Sequence, residues 1–501
     1  MSSLKQALND GRFVCVLEVV PQQSPSRLAA LEPIVQRGHL AGWPLLPAFA
    51  DRVGLHSDLS PLEAAEALGN PASSLLHFSG KDRERADLLL QMDSMKALGV
   101  EQLLLLSGDR LPGHHDQAQV RYLESVPALQ IAREHGPDWL LGAALNPFKY
   151  REEEGGAQYL KAQKKLLAGA DFLTLQLGFD AAKHIEARTW MRAQASMKPM
   201  LACVMGVTDK RAALLQAVPG IVITESMRML LGREQRVSQA YASARSVERL
   251  ALQILGLQLM GYAGAHVSGV HTLDELLSLE QAITEQRDSV TSLTEWSERW
   301  RASWQLPGVP QVSFTPESGA WEMGQSGVTA TRRERLRHRL LSSIHDRFFS
   351  RTGWLSRAFG WSVTRSIWKV GMAANALHAI ERTIKRPLVG CDTCGRCRLQ
   401  DTLYVCPETC PKGLANGPCG GTRLNRCEFG DRECVHSVKY RIAKSADQLA
   451  VLAQTLIPCI EADNRHRSSW PEWFEPEDPT QGAESNPREW KPARRPLRRR
   501  K

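Results

Sequence analysis

No stretch of the 501 residues is apolar and uncharged for long enough to cross a bilayer; the nearest approach, residues 361–380, is broken by Arg365 and Lys369. Residues 1–20 carry Lys5, Asp10 and Arg12, offer only a short apolar run (13–17) before Glu18, and lack a small-residue cleavage site, so a secretory leader is not expected. Aromatic residues make up 6% of the chain, and residues 1–390 hold two cysteines, Cys15 and Cys203, which excludes a disulfide scaffold over that stretch. What remains is a folded composition, 43% hydrophobic and 23% charged. At about 100 to 200 residues per domain it builds two or three cores. The expectation is a cytoplasmic protein without a membrane partner.

Charge is unevenly placed. Residues 1–330 hold 31 basic and 36 acidic side chains, residues 331–386 hold 13 against 3, residues 387–490 hold 12 against 15, and the last eleven hold 7 against none. The formal +9 therefore resides in one short segment and a tail, which argues against a nucleic-acid face on the largest domain. Eight of the eleven cysteines fall between Cys391 and Cys434. In a chain without a leader, such a cluster reads as metal binding.

Residues 1–290 alternate β-rich runs with amphipathic helical stretches such as 82–98 and 157–168. Candidate strands are 13–19, 44–49, 73–78, 102–106, 139–144, 171–177, 199–205 and 262–270. Eight strand-helix units predict an α/β fold, a (β/α)8 TIM barrel, with a doubly wound open sheet as the competing arrangement. Residues 291–330 lose periodicity, gather Pro307, Pro310 and Pro316, and read as a linker. Residues 331–386 read as a basic helical segment with Leu340, Leu341, Ile344, Phe348 and Phe349 on one side, a bracket for the barrel or for a partner. Residues 387–460 form a small cysteine-rich metal-binding module ending in a helix (439–456), and 461–501 read as a disordered tail.

In such a barrel, chemistry collects where the loops converge at the C-terminal ends of the strands. There the sequence places Glu18 after strand 1, His77 after strand 3, Ser107-Gly108-Asp109 after strand 4, Asn146 after strand 5 and Gln176 near the end of strand 6. Glu18 sits in an apolar run, the setting in which a carboxyl can hold a proton near neutrality; a carboxylate satisfied by a neighbouring cation is the alternative. Five strands ending in polar residues would carry desolvation costs without a function to match. Gly108 suits close approach to a ring or phosphate, although Ser-Gly-Asp is also a common turn.

The runs Leu17-Glu18-Val19-Val20-Pro21, Leu76-His77-Phe78-Ser79-Gly80-Lys81-Asp82-Arg83, Leu105-Leu106-Ser107-Gly108-Asp109, Gly142-Ala143-Ala144-Leu145-Asn146-Pro147-Phe148 and Asp171-Phe172-Leu173-Thr174-Leu175-Gln176 resemble, in order and spacing, methylenetetrahydrofolate reductases over about residues 10–290. The resemblance implies a barrel with non-covalent FAD, reduced by NAD(P)H, that passes hydride to 5,10-methylenetetrahydrofolate and yields 5-methyltetrahydrofolate. It implies Glu18 as the acid that opens the folate ring to an iminium. It also implies His77, Ser107, Gly108, Asp109, Ala144 and Asn146 as flavin contacts, Lys165 as a cation near the flavin phosphates, and Asp109 and Gln176 as folate contacts. Val19 and Val20 stand where the family usually has aromatics, Ser79-Gly80 where a Thr-Cys pair is usual, and Ala50-Asp51 where threonine is common.

The spacing Cys391-x2-Cys394-x2-Cys397-x8-Cys406-x3-Cys410-x8-Cys419-x7-Cys427-x6-Cys434 supplies eight thiols, enough for two four-coordinate sites. Three thiols at x2 spacing, and Cys406 followed by Pro407, point toward a [4Fe-4S] cluster, while tetrahedral zinc accepts the same residues; both stay open. The run 406–413, with Asn416-Gly417-Pro418-Cys419-Gly420-Gly421 and Arg426-Cys427-Glu428, resembles the cysteine-rich C-terminal domain of certain methylenetetrahydrofolate reductases and the small partner subunit of acetogen reductases. That implies a module able to exchange electrons with the flavin, a purely structural metal being the plainer alternative.

The leading expectation is flavin-dependent methylenetetrahydrofolate reduction with a fused metal module and a folate substrate. A redox or methyltransferase partner protein and a homo-oligomer stay open. The competing readings are a flavin-free folate- or corrinoid-linked methyl-transfer component and a zinc-ribbon nucleic-acid binder.

Overall fold

The computed structural model describes residues 3–22, 24–51, 59–69, 71–110, 122–317, 319–350, 353–368, 371–430 and 432–475. Short runs rich in Leu, Val and Ala, buried on both faces, give eight barrel strands, beside a two-residue strand His39–Leu40 that pairs antiparallel with the second of them. The eight are β1 (Val14–Val19), β2 (Trp43–Phe49), β3 (Leu75–Ser79), β4 (Gln102–Leu106), β5 (Leu140–Leu145), β6 (Phe172–Leu175), β7 (Met200–Met205) and β8 (Gly264–Ser268). All pairings between them are parallel, and β1 pairs with both β2 and β8, so the sheet closes on itself. Closure rules out the doubly wound alternative and confirms the TIM barrel.

Side-chain alternation then sorts the residues. Val14, Val16, Leu46, Ala48, Leu75, Leu104, Leu140, Phe172 and Leu201 point inward and pack with Leu4, Ala7 and Leu8 of the helix Leu4–Asn9, which plugs the lower end. Two residues further along their strands the inward positions become Glu18, His77, Thr174, Cys203 and His266. The interior is thus apolar below and polar at the mouth.

The segment expected as a linker is partly structural. Residues Leu293–Ser303 form a helix with a Ser292/Glu295 capping box, and Trp296, Trp300 and Trp304 lie buried in the main core. Three tryptophans at i, i+4 and i+8 give it an anchoring face that its polar composition hides. Arg249 fixes this corner: its guanidinium pairs with Glu234 (Nη1 to Oε2, 2.9 Å) and its Nε donates to Ser303 O at 2.9 Å, both charged groups being almost fully buried. Arg249→Ala would leave the buried Glu234 carboxylate with Arg245 alone, at 3.8 Å, and the expected loss is about 3 kcal/mol, read as a lower denaturation midpoint.

The basic segment forms the helices Arg332–Phe348, Trp354–Val363 and Gly371–Val389. It docks on the cysteine module: Arg332–Phe348 packs against Val435–Ser445, and Glu334 receives Arg441 Nη2 at 2.7 Å. Leu341 alone of its expected apolar side is buried, while Leu340 stays 54% exposed. The helix expected over 439–456 is two, Val435–Ser445 and Leu449–Gln454. The tail is ordered as far as it is described. Glu381 accepts Ser469 N at 2.8 Å, and Trp470 in the helix Trp470–Phe474 is buried against Val363 and Leu377. Residues 476–501, including the Arg-rich run 490–501, lie outside the described residues.

Candidate functional site

At the barrel mouth Ser268 Oγ on β8 donates to Glu18 Oε2 on β1, and Cys203 Sγ on β7 lies 3.4 Å from the same hydroxyl. Beneath them His77 and His266 meet edge to face, ring centres 5.6 Å apart. Burial, reinforced by His266, pushes His77 down to about 3; burial also lowers His266 against the pull of Glu18, so both rings are neutral near pH 7. His77 Nε2, Ser79 Oγ, Thr174 Oγ1 and both His266 ring nitrogens are buried without hydrogen-bond partners among the described residues. Burial pushes the Cys15 and Cys203 thiols up to about 12, which removes both as nucleophiles. Gln176 ends β6 with its carbonyl oxygen accepting Leu177 N at 2.9 Å, leaving its amide nitrogen as the donor. Asp51, where threonine is common in the family, is structural: it accepts Ser79 N at 2.7 Å and Arg83 Nη1 at 2.6 Å.

The other half of the mouth, over β4 and β5, is covered by the cysteine module. Lys412 Nζ donates to Gly108 O at 2.8 Å and pairs with Glu428 at 2.5 Å, while Glu428 also accepts Arg110 N at 2.7 Å. Asn146 Nδ2 donates to Gly220 O at 3.0 Å and Gly420 O at 2.8 Å. From the helix Glu152–Leu167 and the turn before it, Lys149 reaches Gly420 O at 2.9 Å, Gln158 reaches Cys419 O at 2.7 Å, and Lys161 reaches Gly417 O at 3.1 Å and Glu124 at 2.9 Å. The approach is backbone to backbone: at Gly220 (φ +83°) a Cβ would stand 2.1 Å from Gly420 O.

The sequence-predicted site therefore divides. Glu18, His77 and Gln176 line the open half. Ser107 bonds to Ser125 (its Oγ accepts Ser125 N at 3.1 Å), and Gly108 and Asn146 bond to the module. Asp109 faces Lys412, and burial raises its pKa against that cation. Lys165 donates to Ala144 O inside the barrel wall, and burial, with Lys161 beside it, lowers it to about 7. Of the positions that the resemblance assigns to flavin, those on β4, β5 and the following helix are thus engaged within the chain.

Glu124 anchors this contact. It accepts Ala415 N at 2.9 Å and Asn416 N at 3.0 Å as well as pairing with Lys161. Burial alone would raise its pKa, but Lys161 and the two N–H groups outweigh it and lower it from 4.5 to about 2. A depressed carboxylate contributes stability fully above its unfolded pKa and loses it as pH falls through the folded value. The docking should therefore weaken progressively between pH 4.5 and about 2, seen as rising hydrogen exchange over residues 412–428. The Glu124→Gln variant should be loosened at neutral pH and lack that acid step.

The eight cysteines form two groups. Cys391, Cys394, Cys397 and Cys406 line one cavity of about 20 Å³, and Lys385 Nζ lies 3.5 Å from Cys397 Sγ. In the second group, Cys427 raises the pKa of Cys410, and Cys419 and Cys410 raise that of Cys434, so these thiols are electrostatic neighbours. Lys149, Lys412 and Lys439, all buried, act on thiols of this second group. Among the described residues, no three His, Cys, Asp or Glu side chains are grouped so that they could hold a metal ion.

Ser268, His266, Glu124, Lys149, Gln158, Lys161 and Lys164 were not singled out from sequence, although Lys165 beside them was. The lysines did leave a signal: positions i, i+3 and i+4 share one helix face, and here that face is buried.

Residues 5–243 match the family described as methylenetetrahydrofolate reductase, and residues 371–463 match the family described as methylene-tetrahydrofolate reductase C terminal. A curated relative from Caenorhabditis elegans, described as a probable methylenetetrahydrofolate reductase (NADPH), is 30% identical over 139 residues, covering 25% of this chain and 20% of that protein. The match thus spans about a fifth of the relative's length. A solved protein from Clostridium thermocellum, described as uncharacterized and as binding two copies of 5-methyl-5,6,7,8-tetrahydrofolic acid, is 13% identical with a TM-score of 0.41, over 57% of this chain and 99% of the other.

Proposed function

The chain belongs to the methylenetetrahydrofolate reductase family, through its barrel and through that family's C-terminal domain, and from this premise we propose that it reduces 5,10-methylenetetrahydrofolate to 5-methyltetrahydrofolate with reduced nicotinamide as the hydride source. The observation that carries the reading is Glu18, held by Ser268 at the open half of a mouth whose other inward groups are neutral or apolar. Burial keeps the neighbouring His77 and His266 imidazoles weak bases, so they compete little for a proton that Glu18 gives to a substrate nitrogen.

The step balances as follows. Glu18 donates a proton to N10 of the folate, the methylene carbon's bond to N10 breaks with its electron pair going to N10, and an iminium remains at N5. Hydride from C4 of the nicotinamide adds to that methylene carbon and neutralises N5, giving the methyl group and oxidised nicotinamide. Ser268 fixes the Glu18 carboxyl, and Gln176 can donate through its amide nitrogen to the pterin.

The chemistry of the donor set fits two metal-thiolate sites, held by Cys391, Cys394, Cys397 and Cys406 and by Cys410, Cys419, Cys427 and Cys434. Support comes from the cavity within the first set and the buried lysines around the second, since cations offset the net negative charge of four thiolates. The same four thiols suit an iron-sulfur cluster or a zinc ion. A cluster supplies one-electron chemistry and rigidity.

The test is anaerobic incubation of the full chain with 5,10-methylenetetrahydrofolate and NADH or NADPH, with mass detection of 5-methyltetrahydrofolate. No product with either nucleotide would contradict the reading.

A further inference from the structure

We propose that this barrel works without a bound flavin, because residues 412–428 of the same chain fill the half of the mouth that the family resemblance assigns to the cofactor. The inference rests on that assignment of positions and goes beyond the proposed reduction itself.

A dinucleotide needs two things there, cations for its phosphates and room for its length. Lys149, Lys161, Lys165 and Lys412 are committed, while Lys164 Nζ is buried without a hydrogen-bond partner among the described residues. Lys149 and Lys161 are each only 2% exposed and donate to Gly420 and Gly417 carbonyls. Lys412 is held by Gly108 O and Glu428. Lys165, the residue assigned to the phosphates, turns instead to Ala144 O.

Room is committed too. Gly420 touches Gly220 so closely that no side-chain atom fits between them. Asn146 Nδ2 and Lys149 Nζ both close on Gly420 O, at 2.8 and 2.9 Å.

The segment is not a lid resting on the site. Lifting it would take Ala415 N and Asn416 N from Glu124, Gly417 O from Lys161, Gly420 O from Lys149 and Gly108 O from Lys412, a heavier loss than parting two apolar surfaces. The segment behaves as a fixed wall. The second cysteine group borders the helix that carries Lys165, the residue the resemblance assigns to the flavin phosphates, since Gln158 of that helix holds the Cys419 carbonyl. Folate and nicotinamide are left the half formed by β1, β6, β7 and β8. The hydride then passes directly between them.

The test uses the full chain, purified anaerobically. Heat-released flavin should be far below one per chain, and added FAD or FMN should keep its free fluorescence, while 5-methyltetrahydrofolate still binds with saturation. Stoichiometric co-purified flavin, or saturable quenching of added FAD or FMN, overturns the inference. The two readings fail separately. A flavin-free protein that makes no 5-methyltetrahydrofolate with either nucleotide removes the proposed reduction and leaves this inference standing. A flavin-loaded, active protein does the reverse.

Discussion

Glu18→Gln should lower 5-methyltetrahydrofolate formation by about 10²- to 10⁴-fold, the range that a positioned general acid contributes. The amide keeps the shape and can still accept from Ser268, so folate binding and thermal stability should change little. That split distinguishes an acid from a packing residue, because an interaction made only in the transition state lowers kcat and kcat/KM together. Ser268→Ala is the companion variant: it leaves the carboxyl in place and removes the donor that orients it. Its loss should be smaller than that of Glu18→Gln. If Glu18→Gln instead weakened folate binding and left the rate at saturation untouched, Glu18 would be a binding residue and the acid role would fail.

The second large effect is expected at the cysteines. Replacing Cys391, Cys394 and Cys397 together by Ala should release the metal of the first group and unfold the segment around it, because structural thiolate sites carry about 10 to 16 kcal/mol of apparent binding energy in small modules. Few apolar side chains compensate there, since the cluster around Leu341 and Val389 is small and includes Cys406 itself. Hydrogen exchange should rise over residues 371–406 and the tail helix Trp470–Phe474, while the barrel strands stay protected. Unchanged metal content and unchanged exchange would show that these thiols are not ligands.

Strands and their order were legible in the sequence because a barrel strand is a short local pattern, apolar on both faces and bounded by helical stretches. Glu18 was legible for the same reason: a lone carboxylate in an apolar run is an anomaly visible within a few residues. The covered half of the mouth was not. The contacts that create it join Asn146 to Gly420 and Glu124 to Asn416, residues more than 270 positions apart, and no periodicity encodes such a pairing. Ser107, Asp109, Asn146 and Lys165 therefore read as free polar groups at strand ends, although the chain itself had already claimed them. The helix Leu293–Ser303 was hidden by the prolines that follow it, yet its three tryptophans at four-residue spacing were the usable sign. The order of the tail depends on Glu381 and on Trp470, which pack on a helix about ninety residues upstream, again outside local reach.

The module and the barrel together define one arrangement, the Glu18 carboxyl facing a mouth half closed by a cysteine-bearing wall. That arrangement predicts a direct path for hydride. Nicotinamide deuterated at the transferring C4 position, incubated with the full chain and 5,10-methylenetetrahydrofolate in ordinary water, should give 5-methyltetrahydrofolate carrying one deuterium in its methyl group. The same reaction with unlabelled nicotinamide in deuterated water should give none. A reduced flavin exchanges its N5 hydrogen with solvent, so a methyl group that takes its label from the water and not from the nicotinamide would contradict the account.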